Sequence, residues 1–141
     1  PFRCLFTSTG PERAKLEQLA QDLGLGDRVT FLGYVPDQQL IDLYAEARAV
    51  YYAPFDEDYG FTTVQALAAS RPVVTTTDAG GVLEFIDDGH NGFVVAPDPA
   101  AIAARLDMLA NDPALAERLG ANGPQRVADI TWDRVIHSLV I

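Results

Sequence analysis

Short apolar runs alternate with amphipathic stretches along most of the 141-residue chain. Phe2 to Thr7 reads as a strand, and the helix after it carries Pro11 in its first turn. Leu16, Leu19, Ala20 and Leu23 form that helix's buried stripe, and Gly24 or Gly26 can end it in a left-handed conformation. Arg28 to Leu32 is a second strand with Val29 and Phe31 on one face, followed by a loop from Gly33 to Pro36. Asp37 is placed to cap the next helix, whose buried positions are Leu40, Leu43, Tyr44 and Ala47. A third strand is expected over 49–53, a loop over 54–59, a helix over 60–69 and a β-branched fourth strand over 72–76. A glycine-rich turn at 78–81, a short helical segment at 82–86, a turn at 88–92 and a fifth strand at 93–96 follow. Three closing helices near 99–110, 113–122 and 131–140 complete the chain, Pro99 starting the first.

Strand and helix repeated in this order imply parallel pairing through crossovers. The expected fold is therefore a doubly wound, Rossmann-like three-layer α/β/α sheet in one domain over 1–141, with its ligand crevice outside the C-terminal ends of the strands.

Composition narrows the partners. The formal charge is −10, and the ten basic residues are scattered singly, so nothing neutralises a run of nucleic-acid phosphates or an anionic bilayer. No apolar run approaches the ~20 residues of a membrane span. The single Cys4 excludes an intrachain disulfide and, without further cysteines, zinc-ligand spacing, so a cytoplasmic location is expected and no metal. A strand residue, Cys4 reads as a small buried hydrophobe. His90 and His137 read as surface or packing residues, and Trp132 as a core or interdomain anchor. The first strand ends in Thr7 and Ser8 rather than in an acidic pair, which disfavours a receiver-type signalling domain.

The segment with most chemistry runs from Pro54 to Ala68, where an acidic loop after a strand enters a helix that begins at Gly60. The amides of roughly Gly60 to Thr63 then point into the crevice, a place for a phosphate or a sugar oxygen, with Glu57 beside them as an acceptor for hydroxyls. Two other readings stand next to this one. Asp56, Glu57 and Asp58 can simply complement the positive helix end, and Asp56-x-Asp58 has the spacing of a metal-holding pair.

Pro54 to Ala68, the later Pro72-Val-Val and Gly80-Gly81-x-x-Glu84 resemble glycosyltransferase family four, the retaining enzymes of the two-Rossmann-domain (GT-B) type. Asp87 to Val95, Arg28 to Val35, Thr9 to Arg13 and Thr131 to Arg134 also fall where that family has similar segments, so the resemblance covers essentially the whole chain. It implies the C-terminal, donor-nucleotide-binding half of such an enzyme. A hexose-type sugar would pass from a nucleotide-diphosphate sugar to a saccharide or lipid-linked acceptor, with retention and without metal or other cofactor.

By the same resemblance Glu57 orients the donor sugar, and position 65, separated from it by seven residues, accepts the ribose hydroxyls; here it is Gln65. Thr62 and Thr63 lie where first-turn amides hold the diphosphate, Tyr59, Gly60 and Phe61 belong to the same site, Gly33 and Tyr34 lie at the base, and Gly80 and Gly81 near the sugar. Ser8 and Ser70 stand where the family has glycines. The family's acceptor domain and its basic pair for the diphosphate are not visible, so the chain is expected to be truncated at its N-terminus and not to transfer sugar alone. A degenerate, non-catalytic nucleotide-binding or interaction domain and a GT-B nucleotide-sugar epimerase are the alternatives.

Overall fold

A computed structural model describes residues 2–140, which divide between Asp42 and Leu43 into two compact units. In the first unit, β1 (Cys4–Thr7) and β2 (Val29–Gly33) pair in parallel around α1 (Arg13–Asp22). Cys4 to Phe6 register with Val29 to Phe31, a shift before Thr7 sets that residue against Gly33, and the Phe6 and Phe31 rings stack at 5.0 Å. Arg13 ties the helix to the strand, its Nη2 donating to the Phe31 carbonyl at 2.9 Å and its Nε meeting Glu17 at 2.7 Å.

Gly24 ends the α1 turn at φ 67°, as the sequence suggests. The expected buried stripe does not form: Leu16, Leu19 and Leu23 are 44%, 51% and 62% exposed, and only Ala20 is buried. A two-strand ladder offers too little surface to cover a whole helix face. Cys4 is likewise exposed rather than buried.

The helix α2 (Asp37–Glu46) runs through the division between the units. Asp37 lies inside its first turn instead of capping it, since the Leu40 amide already bonds the Pro36 carbonyl at 2.9 Å; the carboxylate then acts on the helix dipole.

In the second unit, β3 (Val50–Tyr51), β4 (Val73–Thr76) and β5 (Gly92–Val95) form a parallel sheet in sequence order, with α3 (Phe61–Ala68) between β3 and β4. A 3₁₀ turn covers Gly81–Glu84. The closing helices are α4 (Pro99–Asn111), α5 (Pro113–Ala121), α6 (Gly123–Val127) and α7 (Trp132–Leu139), one more than periodicity suggests.

All four residues of β4 are buried, which is why the strand reads as an uninterrupted apolar and β-branched run. Its neighbouring valines part to opposite faces. Val73 packs with Ala66 and Leu67 of α3, Val82 and Val127 of α6, whereas Val74 packs with Phe93, with Leu109 of α4 and with Ala116 and Leu119 of α5. Helices therefore cover both faces of this sheet, giving the three-layer α/β/α arrangement expected from the sequence, and burial of each valine contributes roughly 1.5–3 kcal/mol. Asp98 and Asp112 cap α4 and α5 by accepting the Ala101 and Leu115 amides, with Pro99 and Pro113 at the first helical positions. Trp132 is 81% exposed, so among the described residues it is no core anchor.

The two serines that stand where the resemblance implies glycine both take left-handed conformations, Ser8 at φ 69° and Ser70 at φ 58°. Ser70 follows α3 in a Schellman arrangement: its amide donates to the Leu67 carbonyl at 3.0 Å and the Arg71 amide to Ala66 at 2.9 Å. A side chain in that conformation costs ~1 kcal/mol relative to glycine. Ser70→Gly is therefore expected to raise the thermal midpoint by about 4 °C, measurable by circular dichroism; an unchanged or lowered midpoint would show that the serine is not strained.

Candidate active site

The loop between β3 and α3 brings the chemistry together. Gly60 precedes α3 at φ 74° and ψ 63°, a left-handed residue that turns the chain from the acidic loop into the helix. It is also packed tightly: a Cβ at this position would lie 2.5 Å from Val82 Cγ2 and 3.4 Å from Tyr52 Cε1. Only glycine meets both conditions.

Phe61 and Thr62, the first residues of α3, have no intrahelical acceptor for their amides. Thr63 differs from the sequence expectation, because its amide donates to the Gly60 carbonyl at 2.9 Å and is not open to a ligand. Its side chain is fully buried, with a hydroxyl that has no partner.

Glu57 is held from both sides. Its amide donates to the Ala79 carbonyl at 3.3 Å, and its carbonyl accepts the Gly81 amide at 2.7 Å, so residue 57 forms a parallel bridge with Gly80. The glycines permit this closeness. A Cβ on Gly80 would lie 2.6 Å from the Glu57 carbonyl oxygen, and one on Gly81 would lie 2.1 Å from that of Asp58. Gly80 and Gly81 thus form more than an ordinary tight turn: they seat the acidic loop.

The Glu57 side chain meets Tyr52, whose hydroxyl donates to Oε2 at 3.4 Å. Because the same tyrosine ring lies against Gly60, the carboxylate stands beside the first turn of α3. Burial first, and then the charge of Glu57 and the hydrogen bond to it, push the Tyr52 phenol above its ordinary pKa, with Thr62 acting in the opposite sense. Gln65, exposed on α3, accepts from the Tyr44 hydroxyl at 3.3 Å. Burial raises the Tyr44 phenol too, again with Thr62 opposing.

Tyr59 packs on Phe61 and Phe85 at ring separations of 5.0 and 5.1 Å, which leaves Phe61 71% exposed at the mouth of the helix. Glu84 is exposed, and its carbonyl accepts from Arg126. Gly33 and Tyr34 belong to the first unit: Gly33 is buried at φ 72° and accepts the Ser8 amide at 2.6 Å, and Tyr34 is 83% exposed. A separate open cleft of about 220 Å³ is lined by Tyr51, Pro54, Phe55, Asp78, Pro99 and Ile102. None of the residues implied for the donor lines it.

Sequence reading singled out neither Tyr52 nor the hydroxyl of Tyr44. Tyr44 counted there only as an apolar stripe position. The available signal is polar: a tyrosine at a strand's C-terminal end, next to an acidic loop, carries a hydroxyl that needs a partner.

This chain belongs to the family described as glycosyl transferases group 1, which it matches over residues 2–126. Among curated relatives it is 35% identical over 119 residues to D-inositol 3-phosphate glycosyltransferase of Streptomyces avermitilis, covering 84% of this chain and 25% of the relative. Against the human alpha-1,3/1,6-mannosyltransferase ALG2 it is 32% identical, covering 82% of this chain and 27% of that one. Sucrose-phosphate synthase of Thermosynechococcus elongatus superposes with a TM-score of 0.86 at 30% identity, over 96% of this chain and 36% of that structure. Anabaena HepE, solved in complex with UDP and glucose, superposes with a TM-score of 0.82 at 25% identity, over 97% and 40%. The chain thus spans about a quarter of these two curated relatives. Among the described residues no helix is long and apolar enough to cross a membrane.

Proposed function

We propose that residues 1–141 form the donor-binding domain of a retaining, metal-independent glycosyltransferase. It would take a hexose-type sugar from a nucleotide-diphosphate sugar and, with sequence that the relatives carry outside the matched region, pass it to a saccharide or lipid-linked acceptor. One observation carries this reading: the Glu57 carboxylate, tethered by Tyr52, stands beside the open amides of Phe61 and Thr62 behind a left-handed Gly60. Amides at a helix start hold phosphate oxygens through their N–H groups and the helix dipole. Glu57 then accepts from sugar hydroxyls and fixes the anomeric carbon relative to the leaving diphosphate. The complex of HepE with UDP and glucose supports the same ligand class. Gly33 and Tyr34 are assigned to the nucleotide base, and Gln65 to the ribose. The lone Cys4, free of any disulfide, fits a cytoplasmic place of action.

Titration calorimetry with UDP, GDP and ADP and with their hexose conjugates tests the proposal. One pair is expected to bind, and Glu57→Ala is expected to weaken the sugar-bearing member by about tenfold. No binding by any nucleotide would refute it.

A degenerate domain is the second reading, favoured by Gln65 at the ribose position, where the amide offers an acceptor without charge. Gln65→Glu separates the two. In a working site the carboxylate still accepts from Tyr44, and charge-assisted bonding to the ribose should tighten nucleotide binding several-fold, by ~1 kcal/mol. A lost site would not respond.

A further inference from the structure

Two phenols frame the first turn of α3. Tyr52, following β3, reaches Glu57 Oε2 at 3.4 Å, and Tyr44, near the end of α2, reaches Gln65 Oε1 at 3.3 Å. Thr62, in the first turn of α3, opposes the rise in the pKa of both phenols. Both tyrosines are half-buried, and the Tyr52 ring is further pinned against Gly60. Their partners, Glu57 and Gln65, are the side chains assigned to the donor's sugar and to its ribose.

We propose that Tyr52 and Tyr44 are positioning residues of the donor site, Tyr52 fixing the Glu57 carboxylate for the sugar hydroxyls and Tyr44 fixing the Gln65 amide for the ribose. This rests on the donor-site reading above. A glutamate in a loop has many rotamers, and holding one of them before the ligand arrives removes an ordering cost from binding. The bond to Tyr52 uses Oε2, so the carboxylate keeps its other oxygen for the sugar. Neither phenol touches the reacting atoms; each acts through its neighbour.

The test compares a bare nucleotide with its sugar conjugate. Wild type, Tyr52→Phe and Tyr44→Phe are titrated on the full chain with UDP and UDP-glucose, GDP and GDP-mannose, and ADP and ADP-glucose. Phenylalanine keeps the ring against Gly60, so only the hydroxyl is lost. Tyr52→Phe is expected to weaken the sugar conjugate about fivefold while leaving the bare nucleotide within about twofold. Tyr44→Phe should weaken both by about threefold, since both contain the ribose. In a Glu57→Ala background, adding Tyr52→Phe should change little, because the group it positions is absent. A sugar conjugate bound equally well by Tyr52→Phe and wild type would overturn the proposal, and so would Tyr52→Phe weakening both members of the pair equally or Tyr44→Phe leaving the bare nucleotide's affinity unchanged. Should wild type bind none of the six compounds, the donor-site reading itself falls.

Discussion

Gly81→Ala is expected to lower stability by about 3 kcal/mol, which for a chain of this size is roughly a 10 °C fall in the thermal midpoint. The new Cβ would lie 2.1 Å from the Asp58 carbonyl oxygen and 3.2 Å from that of Glu57. Both are backbone atoms, so relief requires the acidic loop to move. Gly81 has no left-handed backbone of its own, unlike Gly80 at φ 68°, and the cost at 81 is therefore purely steric. The Gly81 amide also donates to Glu57, at 2.7 Å. Displacing the loop would strain that bond, and sugar-nucleotide affinity should fall with stability. A variant melting within about 2 °C of wild type would mean that these glycines only make a turn.

Gly60→Val should be still more damaging, by roughly 4 kcal/mol. A β-branched residue must adopt φ 74°, for which the backbone cost alone is ~1–2 kcal/mol, and its Cβ falls 2.5 Å from a methyl of the fully buried Val82. Overpacking of that kind adds about 1–3 kcal/mol. Gly60→Ala carries the same collision without the branch and serves as the milder member of the series. Denaturant unfolding of the three proteins should rank glycine above alanine above valine, and nucleotide affinity should fall in the same order. Equal stability across the series would show that the turn into α3 does not need glycine.

Much of this arrangement was legible in the residues. The buried run at 73–76, the proline-started α4 and the glycine opening of α3 each follow from local rules that tertiary contacts reinforce. Ser8 and Ser70 stand where the resemblance implies glycine, and their positive φ values supply the physical reason. Other features depend on packing that periodicity does not contain. The five-residue α6 went unseen because it is short and opens on Gly123-Pro; Gly123 is needed where a Cβ would meet the Leu67 carbonyl at 2.7 Å. Leu16, Leu19 and Leu23 have helical spacing, yet spacing cannot say whether a surface is present to receive them. Thr63 illustrates the limit at the site itself, since its place in the first turn suggested an open amide and the tight turn at Gly60 closes it. The hydroxyl of Tyr52 gains its meaning only once the loop folds back to bring Glu57 within 3.4 Å.

Backbone amide NMR during addition of a nucleoside diphosphate offers the most direct check that the start of α3 holds the ligand. The amide signals of Gly60, Phe61 and Thr62 should move together and saturate at one affinity, and Glu57→Ala should leave the bare nucleotide's shifts in place while weakening those of the sugar conjugate. Shifts confined to residues away from this turn, with these three amides unmoved at saturation, would contradict it.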